Sequence, residues 1–184
     1  MRVVLMLMAV LAVVMPAVAQ QVEVTSVTRL EVVDDVTAAP DGTVWVQGKR
    51  IHAIVDGVER VFSPVDARIG YLWPSLSPDG RRIAFFAPGK GIVVIDLRGQ
   101  VLAMVGDYEM PCWLDDEHLV AQDAAYDGMT MTRSRLVLLR ADGSWMTHLT
   151  PPDQQASAPA CRDSRIIYTD AAGDRYMMTV NILE

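Results

Sequence analysis

Apolar residues cluster along this chain in short runs of strand length, rich in β-branched and aromatic types: 43–47, 82–86, 92–95, 135–139, 165–168 and 177–182. No stretch carries the three-to-four-residue spacing of a long amphipathic helix. Asp-Gly pairs beginning at Asp41, Asp56, Asp79, Asp127 and Asp142 punctuate the runs, and this dipeptide accepts the positive φ angles of tight hairpin turns. The pattern predicts an all-β chain of consecutive hairpins.

A repeat imposes a larger period. Pro40-Asp41-Gly42 returns as Pro78-Asp79-Gly80, 38 residues on, and Pro74 returns as Pro111 and Pro159, at spacings of 37 and 48. That period suits a propeller blade. Each unit repeats a short strand after a proline, an apolar strand (Ile83, Leu119, Ile166) and a second apolar strand ending in a turn. The expected fold is a small β-propeller of about four four-stranded blades. The last unit, 157–182, supplies three strands, and Val22 to Thr28 precedes the first unit. The N-terminal strand is therefore expected to complete the last blade and remove an exposed sheet edge. A piece of a larger propeller, or a half-ring that pairs with a second copy, has the same strand count; a monomer is the expectation.

The first nineteen residues read differently. Arg2 supplies a positive start, Val3 to Met15 an apolar stretch, and Pro16-Ala17-Val18-Ala19 a small-residue cleavage pattern, so 1–19 is expected to be a signal peptide and 20–184 the propeller domain. The leader inflates the 51% hydrophobic content, and no integral membrane segment is expected after its removal. Periplasmic or secreted localisation follows. The formal net charge is −7 and no Lys/Arg cluster occurs, which excludes a phosphate-neutralising nucleic-acid surface.

The segment Trp73-Pro-Ser-Leu-Ser-Pro-Asp-Gly-Arg-Arg-Ile-Ala-Phe85, followed by Ile92 to Gly99, resembles the TolB-like β-propeller repeat family and the propeller domains of prolyl-oligopeptidase-type enzymes. Leu114-Asp115-Asp116 and Arg162-Asp163 stand where the other units would carry Ser-Pro-Asp-Gly. The resemblance covers the chain from about Val22 onward. It implies a cell-envelope protein whose propeller binds a partner protein or lipoprotein.

Catalytic chemistry is not legible. The Gly-x-Ser-x-Gly motif of a related hydrolase is absent. His52, His118 and His148 fall in separate repeats, without metal-ligand spacing. Asp34-Asp35 and Asp115-Asp116-Glu117 lack EF-hand spacing and read as solvated turns. No enzyme activity, cofactor or metal is expected. Cys112 and Cys161 lie one and two residues after Pro111 and Pro159, on innermost strands of neighbouring blades. They form either one disulfide or two buried thiols, and the one-residue offset, which points the side chains to opposite strand faces, favours the thiols.

Recognition is expected on the face carrying the longer loops, 63–70, 106–110, 123–133 and 151–155, because rigid scaffolds place binding residues there. The third repeat carries an eight-residue insertion at 123–133. Arg68, Tyr71, Asp107, Tyr108, Tyr126 and Asp127 form the expected partner-binding patch, and the chain reads as a non-catalytic protein-interaction module of the bacterial cell envelope. Trp45, Trp73, Trp113 and Trp145 come one per repeat and are expected to pack between blades. The alternative is a glycan or small-ligand receptor, with Trp73 and Trp113 at the channel mouth.

Overall fold

Residues 21–30 and 42–183 are described by the computed structural model, and among them fifteen strands form four antiparallel sheets in chain order. The first sheet holds β2 (Gly42–Gln47), β3 (Arg50–Val55) and β4 (Val58–Phe62). The second holds β5 (Leu72–Leu76), β6 (Arg82–Ala87), β7 (Gly91–Asp96) and β8 (Val101–Gly106). The third holds β9 (Glu109–Trp113), β10 (His118–Asp127), β11 (Thr130–Arg140) and β12 (Met146–His148). The fourth holds β13 (Ser157–Arg162), β14 (Arg165–Thr169) and β15 (Arg175–Leu183), and β1 (Gln21–Arg29) completes it. Strand β1 runs antiparallel to β15 from Gln21 opposite Leu183 to Arg29 opposite Tyr176, as the strand count predicts. The fold is all-β and that of a small propeller. The expected leader, Asp34-Asp35 and the Pro40-Asp41 start of the first repeat lie outside the described residues.

Three apolar clusters hold successive sheets together. Ile51, Phe62, Tyr71, Ile83, Phe85 and Ile95 fill the first interface. Ala84, Ile92, Trp113, Leu119 and Val137 fill the second, and Val120, Leu136, Leu138, Ile166 and Tyr168 the third. Successive strand residues point to opposite faces, so a strand covered on both sides reads as an unbroken apolar run. Ile83 and Phe85 enter one interface and Ala84 the next; Leu119 and Val120 divide likewise. Among the described residues no cluster joins the fourth sheet to the first. Trp45 departs from its expected packing role. Val44 and Val46 on either side of it turn into the first cluster, so Trp45 faces the other way, half-buried and stacked on His52 across the strand pair at 5.2 Å.

The turns explain why one repeat is recognisable and the others are not. In Ser77-Pro-Asp-Gly80 the Asp79 carboxylate accepts from Ser77 Oγ (2.5 Å) and the Arg81 N–H (3.0 Å), while Ser77 Oγ accepts from the Arg82 N–H (2.9 Å). Asp115 does the same work in the third sheet, accepting from the Glu117 and His118 N–H groups at 2.7 and 2.8 Å. In the fourth, Asp163 and Ser164 take φ of 48° and 58° and make a two-residue turn. Different side chains satisfy the same backbone.

A second repeat lies in the innermost strands. Trp73, Met110 and Ala158 have φ of 48°, 53° and 52°, each precedes a proline, and each sits where the pairing of its strand with the next shifts register. Left-handed backbone is unusual for non-glycine residues, and before proline the extended region is the norm. A bulge at the same point in three successive sheets therefore marks the entrance of each innermost strand. The freed Ala158 N–H donates to Gln122 Oε1 of the preceding sheet at 3.0 Å.

Cys112 and Cys161 are joined in a disulfide, with Cα atoms 5.7 Å apart, which corrects the expectation of two thiols. The offset argument holds within one sheet and reverses between stacked sheets. Where one sheet lies on the next, a residue pointing forward meets a residue pointing backward, so the two occupy opposite faces of their own strands. Cys112 and Cys161 both pack at the third interface. The same relation one interface earlier brings Trp113 Nε1 to the Ser75 carbonyl at 3.0 Å.

Candidate functional site

The eight-residue insertion is not a loop. Strand β9 pairs with β10 only as far as Gln122, and β12 pairs with β11 only over Val137–Leu139, yet β10 and β11 stay paired to Asp127 and Thr130. Beyond Asp123 and Arg135 they form a two-stranded arm closed by Gly128-Met129, with a bulge opposite Ala125 and Tyr126. Gly128 has φ of 59°, as such a turn requires. At the tip, Met129 is fully exposed and Tyr126 is 51% exposed.

Buried polar contacts fix the root. Ser134 Oγ donates to the Ala156 carbonyl at 2.6 Å, Thr150 Oγ1 accepts from the Leu136 N–H at 2.9 Å, and Gln122 holds the bulge at Ala158. Each of these buried groups has its partner, so the arm springs from a rigid base.

The two faces of the arm differ in chemistry. Residues opposite each other in an antiparallel pair share a face. Asp123 faces Arg135, with Ala125 and Arg133 next along, and Asp123 draws Arg135 Nη2 to 2.7 Å, Arg133 Nη2 to 3.2 Å and His148 Nε2 to 2.9 Å. Burial pushes the Asp123 carboxyl up, but the hydrogen bonds from Arg135 and His148 and the two guanidinium charges outweigh it and hold the group below the ordinary carboxylate value. On the other face Tyr126 donates to Glu109 Oε2 at 2.8 Å, which together with burial raises the phenol. Gln122 and Met131 meet there as well.

The expected patch is thus divided. Tyr126 and exposed Asp127 lie on the arm. Asp107 and Tyr108 form the two-residue connection from β8 to β9, shorter than the expected 106–110 loop. Tyr108 is half-buried at the second interface, and burial and the Asp123 charge raise its phenol. Arg68 is exposed in the 63–71 connection, where its carbonyl accepts from Lys49 Nζ at 2.8 Å and its side chain lines a shallow cavity with Asp66, Ile69 and Lys90. Tyr71 is a core residue, 4% exposed, edge-on to Phe85 and donating to the Val65 carbonyl at 2.5 Å. It cannot serve as an exposed contact.

The channel-mouth pair also separates. Trp73 is exposed at the bulged entrance of β5, whereas Trp113 closes the far end of β9, buried beneath Arg82. Sequence reasoning missed Asp123, Arg133, Arg135 and His148. The signal was present in their alternation, Arg133-Ser134-Arg135 opposite Asp123, once the segment is taken as paired strand. Among the described residues no three His, Cys, Asp or Glu side chains converge as metal ligands, and no helix is long and apolar enough to cross a membrane.

These features define a small all-β propeller with a protruding β-arm. No protein-family model matches the chain, and no curated protein matches it. Among solved structures it is similar to the putative TolB from Agrobacterium tumefaciens, at 13% identity over 73% of this chain and 70% of that one, with a TM-score of 0.46. It is also similar to TolB from Acinetobacter baumannii, at 16% identity over 72% of this chain and 53% of that one, with a TM-score of 0.29.

Proposed function

We propose that this chain is an exported, non-catalytic protein-interaction module of the bacterial cell envelope, periplasmic or secreted, and that the β10–β11 arm is its recognition element. The observation that carries the reading is the arm itself: a ribbon whose root is pinned by buried hydrogen bonds from Ser134 and Thr150, with an exposed Tyr126 and Met129 at its tip. Exposed aromatic and methionine side chains are the types enriched at interface centres, and their truncation there removes about 2 kcal/mol or more of binding energy. The leader-like N-terminus supports export, and the Cys112–Cys161 bridge suits an oxidising compartment. The receptor alternative loses support, because Trp113 is buried and Trp73 stands without its expected companion.

Capture from an envelope extract tests the proposal. Tyr126→Ala and Met129→Ala, each folded as the parent, are expected to lose the protein that the parent retains. Undiminished capture by the combined variant would send the search to the channel mouth.

A further inference from the structure

We infer that the face of the arm turned toward Tyr108 is a carboxylate-binding site, built on Arg133 and Arg135, that takes an acidic side chain of the protein partner. The inference rests on the arm being a protein contact and names the chemistry of that contact.

The charge balance comes first. In a chain of net charge −7, two guanidiniums occupy alternate positions on one face of β11, and among the described residues both find the same single counter-charge, Asp123. One positive charge is left over. Asp123 is already shared by Arg133 through one oxygen and by Arg135 and His148 through the other, which takes three of a carboxylate's roughly four acceptor sites. Both arginine Nε atoms are shielded from solvent without a hydrogen-bond partner. Buried donors of this kind ordinarily find an acceptor.

Geometry then selects the ligand. The cluster already receives a carboxylate, with one Nη2 of each guanidinium donating to a separate oxygen of Asp123, and planar N–H forks favour planar oxyanions. The Arg133 side chain is 42% exposed, which opens the cluster to solvent, while Arg135 is 19% exposed. Tyr108, packed at the second interface, lies close enough to feel the charges of Asp123 and Arg135. Asp123 is the internal competitor for the incoming group.

The test is titration of the full mature chain with a blocked peptide of four glutamates (acetylated and amidated), read from the Nε–H resonances of the arginines, alongside a neutral peptide with a free C-terminal carboxylate and inorganic phosphate. The acidic peptide is expected to shift Arg133 and Arg135, and Arg133→Gln to weaken its binding by about tenfold, as loss of a charge-assisted contact does. Arg140→Gln, at the other end of β11 and paired with Glu117 and Asp142, is expected to change nothing. Asp123→Asn is expected to strengthen binding several-fold by removing the competitor, whereas a purely structural ion-pair cluster would lose order and bind no better. Unimproved or weaker binding by folded Asp123→Asn, no loss with Arg133→Gln, or preference for phosphate or the free C-terminus over the glutamate peptide would overturn the inference. Failure of this titration with capture still dependent on Tyr126 refutes the carboxylate site and spares the arm.

Discussion

Replacing Cys112 and Cys161 together with serine tests the stacking of the third and fourth sheets. The bridge spans a sequence separation of 49 residues. Removing it restores loop-closure entropy to the unfolded chain worth about 4 kcal/mol in the chain-entropy treatment. Against a total stability of about 5–15 kcal/mol, that is a large share. For a domain of this size each kcal/mol moves the melting temperature by about 2–4 °C, so the double variant is expected to melt roughly 8–16 °C lower. Urea unfolding followed by far-ultraviolet circular dichroism, with and without reductant, supplies the assay. Reductant should lower the midpoint of the parent and leave that of the double variant where it is. Two titratable thiols per chain in denaturant without reductant, or a parent midpoint indifferent to reductant, would refute the stacking argument.

Three further outcomes follow from packing and charge. Phe85→Ala, at a fully buried position in the first interface, should destabilise by about 3–5 kcal/mol, and Trp45→Ala, half-buried on the outward face, by about 1–2 kcal/mol; equal losses in thermal unfolding would place Trp45 in a core after all. Asp115 and Asp123 are both held below the ordinary carboxylate value, by the His118 and backbone hydrogen bonds and by the Arg135 and His148 hydrogen bonds respectively, against the opposing effect of burial. Their stabilising contribution is complete above the unfolded value near 3.8 and is lost as pH falls through the lower folded value, so Asp115→Asn should flatten the acid limb of the stability profile and leave the neutral limb unchanged in shape. Deleting residues 20–28 should strip most of β1 from β15, lower the melting temperature and promote association through the bared edge; a monomer of unchanged stability would show that β1 is dispensable.

Much of the fold was legible because sheets covered on both faces write unbroken apolar runs, and because Asp-Gly pairs fix hairpin turns. Val22 to Thr28 could be assigned to the last sheet by counting strands alone. The disulfide was misjudged because strand parity was applied within a sheet, whereas Cys112 and Cys161 meet across two stacked ones. The insertion was mistaken for a loop because Ala124, Ala125, Gly128 and the threonines at 130 and 132 carry little of the apolar alternation that marks a strand; cross-strand hydrogen bonds and a pinned root hold the arm instead. Tyr71 was misplaced because a tyrosine in a connection looks exposed, and only the Val65 carbonyl shows where its hydroxyl is satisfied. The bulges at Trp73, Met110 and Ala158 contradict the local preference of residues before proline, so only tertiary packing could reveal them.

The arm is the element on which the functional account stands, and its removal is the most direct measurement. Replacing residues 126–132 with Asn-Gly leaves Ala125 opposite Arg133, joined by the two-residue turn that such a pair accepts, and keeps Ser134 and Gln122 at the root. None of the residues removed belongs to the three apolar clusters, so their loss is expected to cost little stability. The shortened protein is therefore predicted to melt as the parent does and to capture no partner from an envelope extract. Capture as strong as that of the parent, by a variant that melts at the same temperature, would contradict the account.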